Sequence, residues 1–486
     1  MDIVFSWTSL IIVVHAMLIV GVTLRVVMMR LAVGTALAWI ILIFFLPVAG
    51  ALIYLVLGEK RLGRKRTRRA AELWGRYSRW LQDLPRLVPD ERTGLSPESA
   101  AVSRLPEGLL GTPVQPGNRL EIMDAAEPIL HSIIADIDRA RHFCHLEFYI
   151  WNAGGTADEV GEALMRAASR GVTCRVLLDA MGSAKFLKSP WIQRLKQSGV
   201  EIAAALAVSP WRTLFVRFDL RLHRKIVVID DEVAYTGSFN LVDPRFFKQE
   251  AGVGQWVDGM ARIQGPAVLT LNAVFMWDWE VETGHDLKAL PDPAKITVDN
   301  NQGPAANVQV VPSGPGRAGD SIHQLLLMSI YAARQELSMT TPYFVPDEAI
   351  TAALLSAARR GIAVTLILPE KNDSRLVHYT CRSHFDDLLA AGVRIFGFKG
   401  GLLHTKSAVV DGEISLFGTV NLDVRSFWLD FEVTLCVYDS PFAARLLALQ
   451  QKYIENSVAV DAADWRRRPA TERFRENLAR LCSPLL

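Results

Sequence analysis

Two long apolar runs open the chain, and alternating strand and helix patterns follow them. The runs Ile3–Leu24 and Leu31–Leu57 hold 22 and 27 residues. Each is long enough to cross about 30 Å of hydrocarbon as a helix that rises about 1.5 Å per residue. Only Arg25 and Arg30 bracket the short connection between them. The pattern therefore predicts a hairpin of two transmembrane helices over residues 1–58.

Beyond the hairpin, apolar strand patterns alternate with helix-compatible stretches, and this order occurs twice. In each half a strand precedes a helix that ends in Arg-Gly, and a buried apolar strand follows. The glycines that end these helices, Gly171 and Gly361, lie 190 residues apart. The repetition predicts an α/β fold with two tandem domains. The expected divisions are a basic segment and linker at 59–118, a first domain at 119–284, a second linker at 285–306 and a second domain at 307–486.

The charge of the chain is concentrated at one place. The formal net charge is +2, but Lys60–Arg69 holds seven basic residues, so the rest of the chain carries −5. A basic strip directly after an apolar hairpin is typical of contact with an anionic membrane surface, and it argues against nucleic-acid binding. The positive-inside rule then predicts that the N-terminus and the globular domains are cytoplasmic. A cleaved secretory signal is disfavoured, because the first residues carry no positive side chain.

One polar motif occurs once in each half at the same spacing. Six positions agree in kind over the pattern His-x-Lys-x4-Asp-x6-Gly-Ser/Thr-x-Asn, and the two copies lie 181 residues apart. A single His-x-Lys pair would carry little information, whereas two long copies in a duplicated fold indicate a functional site. The chemically useful members are His223, Lys225, Asp230, Ser238 and Asn240 in the first copy, and His404, Lys406, Asp411, Thr419 and Asn421 in the second.

These residue types suit the transfer of a phosphodiester. Residues two apart in a strand share a face, so each histidine projects with its lysine, and Ser238 or Thr419 with the asparagine that follows. Imidazoles can supply a nucleophile and a general acid/base, while lysines, hydroxyls and amides stabilise phosphate oxygens without a metal or other cofactor. Asp230 and Asp411 belong to the motif, but their opposite strand parity favours a structural role over a catalytic one.

The paired motifs resemble those of the phospholipase D superfamily from about Leu120 to the end of the chain. That resemblance implies a bilobal α/β/α sandwich, one active site shared by both halves and a covalent phosphohistidine intermediate. It also implies an acidic residue downstream of each motif that orients a catalytic histidine. Glu250 and Glu432, at +27 and +28 from their histidines, match that place.

The finer resemblance is to bacterial cardiolipin synthases. It is carried by the hairpin with its basic strip and by three long strings at residues 219–230, 240–256 and 418–432. It implies an enzyme of the bacterial inner membrane that transfers a phosphatidyl group between two phosphatidylglycerol molecules. By analogy with relatives that carry two motifs, His223 is the nucleophile and His404 the general acid/base, although the internal symmetry permits the reverse.

Two other functions remain open at this level. A phospholipase D-type hydrolase would use water in place of the acceptor alcohol, and a membrane scaffold would be an inactive form of the same fold. Two weaker signals concern lipid contact. Aromatic residues between Trp191 and Phe218 suit an interfacial loop or core packing equally well. Arginines near the C-terminus could meet anionic lipid, but a solvated helix face is favoured. Oligomeric state and acyl-chain preference are not predicted.

Overall fold

The computed structural model describes residues 7–31, 33–87, 94–207, 216–293, 305–316 and 319–483. These residues fall into two compact units. The described residues of 1–67 and 208–220 form the first unit, and those of 68–207 and 221–486 form the second. Of the aromatic residues that suggested an interfacial loop, Trp211 and Phe215 lie outside the described residues.

The first unit contains three helices, α1 (Trp7–Met28), α2 (Val33–Phe45) and α3 (Pro47–Leu57). The second apolar run is divided into two helices, α2 and α3, which meet at Leu46. Pro47 lacks a backbone N–H and disfavours a helical Leu46, whose φ is −130°. Within the described part of the chain, no helix meets both the length and the apolarity required of a membrane span. Residues 1–6 of the predicted hairpin lie outside that part.

The segment 59–118, which was predicted as a basic strip and linker, contains two helices, α4 (Arg64–Leu87) and α5 (Pro97–Leu110). The Tyr77 hydroxyl of α4 donates to Glu280 at 2.9 Å, and Val102 of α5 is buried in the core of the second half. Burial of these apolar positions helps to hold α4 and α5 on the fold. Residues 294–304 of the second predicted linker lie outside the described residues.

The second unit is built around one mixed sheet with helices on both faces. The first half contributes β1 (Gln115–Met123), α6 (Ala126–Arg139), β2 (Phe143–Phe148), α7 (Thr156–Ser169), β3 (Thr173–Asp179), α8 (Ala184–Leu187), α9 (Pro190–Gln197), β4 (Glu201–Ala205), β5 (Arg221–Leu222), β6 (Lys225–Ile229), β7 (Val233–Gly237), β8 (Trp256–Val257), β9 (Met260–Gln264) and α10 (Ala267–Thr283). A 3-10 turn covers Gln249–Ala251.

The second half repeats this order with an extension at its C-terminal end. It contributes β10 (Ala306–Ser313), α11 (Ser321–Ala332), β11 (Glu336–Thr340), β12 (Phe344–Val345), α12 (Glu348–Arg359), β13 (Ala363–Pro369), α13 (Arg375–Arg382), α14 (Phe385–Ala390), β14 (Arg394–Phe398), β15 (Leu402–Leu403), β16 (Ser407–Val410), β17 (Ile414–Gly418), β18 (Leu422–Asp423), α15 (Val424–Trp428), β19 (Asp430–Tyr438), α16 (Ser440–Glu455), β20 (Ser457–Ala459), α17 (Ala462–Arg466) and α18 (Ala470–Arg480).

Alternation along the strands explains the layers. In β6, Val227 and Ile229 lie in the same cluster as α6 and α7 side chains, while Ile226 and Val228 belong to the cluster that contains α10 and α16 side chains. Successive strand residues point to opposite faces, so both faces of the sheet are covered. The predicted α/β class with two repeated halves is confirmed, and helices lie on both faces of the sheet.

The two halves share the sheet through one strand pair. The strand order is β20-β14-β13-β11-β16-β17-β19-β10-β1-β9-β7-β6-β2-β3-β4, with β5 added to β19. At the centre β1 pairs antiparallel with β10. The order outward from this pair is the same on both sides, apart from the added edge strand β20. Equivalent residues of the two motifs therefore occupy equivalent places in the sheet.

Candidate active site

Each motif histidine lies directly before a central strand and is held by the other half of the chain. His223 lies between β5 and β6, and its backbone N–H donates to the carbonyl of Phe431 at 2.9 Å. His404 lies between β15 and β16, and its backbone N–H donates to Val257 at 2.7 Å. Both imidazoles are buried. The exchange of hydrogen bonds between the halves brings the two motifs to one place.

A carboxylate from the opposite half engages each imidazole. Nδ1 of His223 lies 2.8 Å from Oε1 of Glu432, and Nδ1 of His404 lies 2.6 Å from Oδ1 of Asp258. When the carboxylate is ionised it only accepts hydrogen bonds, and the proton of the neutral ring is then on Nδ1. Nε2 is then the ring nitrogen with a free lone pair, as a nucleophile or base requires.

Asp258, and not Glu250, is the counterpart of Glu432. Gly237 pairs with Met260 as Gly418 pairs with Thr434, which puts each carboxylate two residues earlier at the same position in its half. Glu250 is exposed in the 3-10 turn and lines the cavity described below, but it makes no described contact with either histidine. The histidine-orienting role predicted for Glu250 is therefore filled by Asp258. Between the motif and the carboxylate, the first half is longer by seven residues, since Asp258 is at +35 from its histidine and Glu432 at +28.

The local sequence contains a signal that could have identified Asp258. In both halves the carboxylate is the third residue of a short segment that leads into an apolar run, Trp-Val-Asp-Gly-Met and Asp-Phe-Glu-Val-Thr. Asp258 lies between β8 and β9, and Glu432 lies within β19. Alignment on the following strand finds this residue, whereas counting from the histidine does not, because the insertion lies between them.

Ser238 and Thr419 were predicted to bind phosphate. In the structure they hydrogen-bond to the two carboxylates, and neither lines the cavity described below. The Ser238 hydroxyl donates to Asp258 at 2.6 Å, and the Thr419 hydroxyl donates to Glu432 at 2.5 Å. Each motif therefore fixes the carboxylate that holds the histidine of the other motif. The side chains of Ser238 and Thr419 are short, so their hydroxyl groups limit the rotation of the carboxylates.

A cavity of about 780 Å³ joins the two motifs. His223, Asn240, His404 and Asn421 all line it. Nδ2 of Asn240 and Oδ1 of Asn421 are buried and make no hydrogen bond among the described residues. Buried amide groups normally have partners, so these two are suited to receive a polar group of a substrate.

The two lysines lie beneath the cavity lining. Nζ of Lys225 donates to the carbonyl of His223 at 2.5 Å, and Nζ of Lys406 donates to the carbonyl of His404 at 2.6 Å. The Lys225 ammonium also lies 5.4 Å from the centre of the Tyr149 ring. In this structure they hold the backbone of the histidines and place two positive charges below the site.

Burial dominates the protonation of the site. It lowers the pKa of Lys225 to about 8 and that of Lys406 to about 7. It also lowers the pKa of His404 to about 3 and that of His223 well below its usual value, with the neighbouring lysines adding to the effect. Both imidazoles are thus neutral at physiological pH in the free protein.

The two orienting carboxylates differ in protonation. Burial raises the pKa of Glu432 to about 7. Burial also opposes ionisation of Asp258, but His404 and Lys406 outweigh it and hold the pKa below the usual value. The negative charge on Asp258 is therefore the more firmly fixed of the two.

The two motif aspartates lie at the far ends of the strands from the histidines. The carboxylate of Asp230 accepts the backbone N–H groups of Arg141, His142 and Phe143 at 2.6, 2.9 and 2.7 Å. Asp411 accepts three equivalent N–H groups, from Arg334, Gln335 and Glu336, at 2.8, 2.8 and 2.9 Å. Asp230 and Asp411 were included among the catalytic candidates, and this prediction is corrected. Their contacts fit the structural role that strand parity favoured.

The walls of the cavity are not symmetric. Two residues before its orienting carboxylate, the first half has Trp256, whose ring lies 4.2 Å from that of His404. At the equivalent place the second half has Asp430, and burial raises the pKa of this carboxyl to about 8. The guanidinium of Arg425 lies 3.4 Å from the carboxyl group of Asp430. His404 therefore lies against an aromatic wall, while the other side of the cavity carries charged groups.

Two imidazoles held by carboxylates and built from repeated halves define a phosphodiester-transfer site of the phospholipase D type. A family described as "Cardiolipin synthase, PLD-like domain" matches residues 133–266 and 326–453. A second family, described as the N-terminal part of phospholipase D-nuclease proteins, matches residues 17–59. The two matches to the first family correspond to the two structural repeats.

Full-length relatives agree with these matches. The chain is 46% identical to cardiolipin synthase A of Salmonella paratyphi B and to that of Salmonella newport, over 99% of each sequence. Its fold is similar to that of phosphatidylserine synthase from Haemophilus influenzae, with a TM-score of 0.58 at 16% identity, covering 79% of this chain and 100% of that one. The chain belongs to the cardiolipin synthase family.

Proposed function

We propose that the protein joins two molecules of phosphatidylglycerol into cardiolipin and releases glycerol. The observation that carries the proposal is the pair of carboxylate-held imidazoles, His223 with Glu432 and His404 with Asp258, which line one cavity. A site with two imidazoles can form a covalent intermediate and also serve the leaving and entering alcohols.

In the first step Nε2 of His223 attacks the phosphorus of phosphatidylglycerol. The bond from phosphorus to the glycerol headgroup breaks, and His404 gives its Nε2 proton to the departing alkoxide. The bound anionic phosphodiester offsets the field of the two lysines, which raises the pKa of His404 in the complex and allows it to hold that proton. The products of this step are free glycerol and a phosphatidyl group on His223.

In the second step the headgroup hydroxyl of another phosphatidylglycerol gives its proton to Nε2 of His404. The new alkoxide attacks phosphorus, the bond between phosphorus and His223 breaks, and cardiolipin leaves. The step is the reverse of the first with a different alcohol, so the same groups serve both. The site returns to its starting protonation.

Binding of the phosphate rests on the groups around the histidines. Oδ1 of Asn421 is a buried acceptor without a partner among the described residues, so it suits a hydroxyl group of the substrate. Nδ2 of Asn240 is a buried donor without such a partner, and Lys225 and Lys406 supply positive charge below the site. Preorganised donors and charges of this kind stabilise the charge that develops on the non-bridging oxygens. Lipid access is supported by Met181 and Phe246, which line the cavity and expose apolar surface.

The protein is proposed to lie in the bacterial inner membrane as a multi-pass protein, with both repeated halves on the cytoplasmic side. Support comes from the apolar composition of residues 7–57, the basic strip Lys60–Arg69 and the family match at residues 17–59. A reporter fused after Leu486 should be active only in a cytoplasmic form, and an active periplasmic form would contradict the orientation.

Product analysis tests the function. Full-length protein in liposomes that contain phosphatidylglycerol should release cardiolipin and glycerol in equal amounts without added metal. His223→Ala and His404→Ala should each reduce the rate by on the order of 10⁴-fold or more, while Glu250→Gln should change it little. Phosphatidic acid as the main product would instead indicate a hydrolase.

The role of each histidine needs a separate measurement. A substrate with a good leaving group does not need a proton from His404 in the first step. With such a substrate, His404→Ala should slow the first step less than the second. Acid quenching followed by peptide mass analysis should then find the phosphatidyl group on His223. Its recovery on His404, in the reciprocal His223→Ala variant, would reverse the two roles.

A further inference from the structure

The last helix, α18, exposes a row of apolar side chains. Phe474, Leu478 and Leu481 are 68%, 54% and 76% exposed. Their spacing of four and then three residues puts them on one side of the helix and its C-terminal end. Single exposed apolar residues are common on protein surfaces, but a contiguous row of large ones indicates a surface that another phase or molecule covers.

The opposite side of α18 is fixed to the second half of the fold. The buried carboxylate of Glu476 accepts hydrogen bonds from Arg382 at 2.9 Å and from Arg468 at 2.8 Å. The Thr380 hydroxyl of α13 donates to the carbonyl of Ala479 at 3.1 Å. Breaking the ion pairs of a buried carboxylate is costly in free energy. The helix therefore cannot rotate to turn the apolar row inward without losing these contacts.

Positive charges flank the apolar row on both sides. Arg473 and Arg480 are exposed, and at 100° per residue they lie on one flank, with Arg475 on the other. Arg475 contacts Glu472 at 3.2 Å, while the described structure pairs neither Arg473 nor Arg480 with an acidic group. Large apolar side chains between flanking arginines are characteristic of helices that lie in the interface of an anionic membrane.

We propose that α18 docks on the surface of a bilayer rich in anionic phospholipid. Phe474, Leu478 and Leu481 enter the boundary between headgroups and acyl chains, and the flanking arginines contact lipid phosphates. The charge complementarity selects an anionic bilayer over a second copy of this chain, whose α18 would present the same positive charge. This inference rests on the proposed function only in that the same bilayer holds the substrate.

The docked helix is connected to the cavity through α13. Helix α13, on which α18 is fixed, follows Asp373, whose carboxylate accepts hydrogen bonds from Lys248 and from the Tyr343 hydroxyl, each at 3.0 Å. Lys248 and Tyr343 both line the cavity. Docking of α18 would therefore hold the cavity near the lipid that enters it.

A fluorescent label tests the contact directly. Full-length protein with Cys381→Ser and Cys482→Ser retains only buried cysteines, so Phe474→Cys can be labelled with an environment-sensitive dye. In phosphatidylglycerol vesicles its emission should shift to shorter wavelength and be quenched by a lipid-borne nitroxide. The same label at Tyr331→Cys, an exposed aromatic position on α11, should show neither change.

The charges and the apolar row are tested through the dependence of rate on surface lipid concentration. Arg473→Gln with Arg480→Gln changes two exposed residues for which the described structure shows no ion pair, and Phe474→Ser with Leu478→Ser removes two of the three apolar side chains. Each double variant should raise the phosphatidylglycerol mole fraction that gives half-maximal rate by at least threefold, with kcat at saturating lipid unchanged. The arginine variant should also reduce the emission shift of the label.

Two outcomes would overturn the docking. One is equal label behaviour at positions 474 and 331 in vesicles, and the other is a label shift that depends on protein concentration without lipid, which would indicate a second copy. The label responds whether or not cardiolipin is made. If wild-type protein forms no cardiolipin and the label still shifts, the proposed reaction fails while the docking stands.

Discussion

Each imidazole of the site is held by a carboxylate from the other half of the chain. Glu432 reaches His223 and Asp258 reaches His404, while Thr419 and Ser238 hold these carboxylates in place. A hydrogen-bonded carboxylate sets the tautomer and orientation of an imidazole and stabilises its protonated form. The residues that matter for catalysis therefore include two carboxylates that do not belong to the repeated motif.

The first prediction compares the two acidic candidates of the first half. Asp258→Asn should lower kcat by on the order of 10²- to 10⁴-fold, because the amide no longer fixes the tautomer of His404. The matched change Glu250→Gln, at an exposed residue, should stay within about twofold of wild type. Initial rates of cardiolipin formation give the comparison, and equal losses in the two variants would argue against the assignment of Asp258.

The second prediction concerns pH. Burial lowers the pKa of Lys225 to about 8 and that of Lys406 to about 7, so each loses its positive charge as pH rises through these values. Because kcat/KM follows the free enzyme, it should fall from about pH 7 upward. A bound phosphodiester favours the charged lysines, so the fall in kcat should come at higher pH. Coincident alkaline limbs in kcat and kcat/KM would contradict this account.

At the scale of elements, two hairpins carry the motifs. Strands β6 and β7 pair over Ile226–Thr236, and β16 and β17 pair over Ser407–Phe417. Each hairpin turns at a motif aspartate with positive φ, 53° at Asp230 and 51° at Asp411. Aspartate tolerates this left-handed conformation better than most residues, and its carboxylate ties the turn to the strand next to the hairpin.

The third prediction follows from these turns. Asp230→Ala should lower the free energy of unfolding by about 1–3 kcal/mol through the loss of charge-assisted hydrogen bonds. The rate per folded molecule should change little, because the turn is at the far end of β6 from His223. Thermal unfolding in detergent measures the first effect. Glu232→Ala removes a charge from the same turn and should leave stability within about 0.5 kcal/mol; a similar loss there would point to a general charge effect.

Much of the secondary structure around the site could be predicted from the sequence. The hairpins follow from β-branched runs that meet at a polar turn, and the parity of Asp230 already favoured a structural role. The position of Asp258 could not be found from its spacing to His223, because the first half has an insertion between Ser238 and Asp258. The break at Pro47 within the second apolar run was also missed, since hydropathy alone does not register a lost backbone donor.

At the scale of the molecule, one sheet makes the two halves a single catalytic unit. Strand β1 pairs with β10 at the centre, and the short strands beside the histidines pair across the halves, β5 with β19 and β8 with β15. These crossed pairs bring each histidine to the carboxylate of the other half. Neither motif histidine is engaged by a carboxylate of its own half.

The fourth prediction uses this arrangement. A mixture of His223→Ala and His404→Ala chains, co-purified or co-reconstituted, should form no more cardiolipin than the separate variants. Each chain builds its site from its own two halves, and exchange would require a 16-stranded sheet to open at its centre. Recovery of about a quarter of wild-type activity in the mixture would indicate that halves are exchanged between chains.

The sequence by itself determined the class of fold, the duplication and the reacting groups, because strand periodicity and a repeated polar motif are local patterns. Only the tertiary structure decided which carboxylate meets which histidine, that Ser238 and Thr419 support these carboxylates, and that α18 turns an apolar row outward. Each of these depends on contacts between residues far apart in the chain. A local pattern specifies which face of a strand or helix a side chain occupies, but the partner across that face is fixed only when the two halves pair.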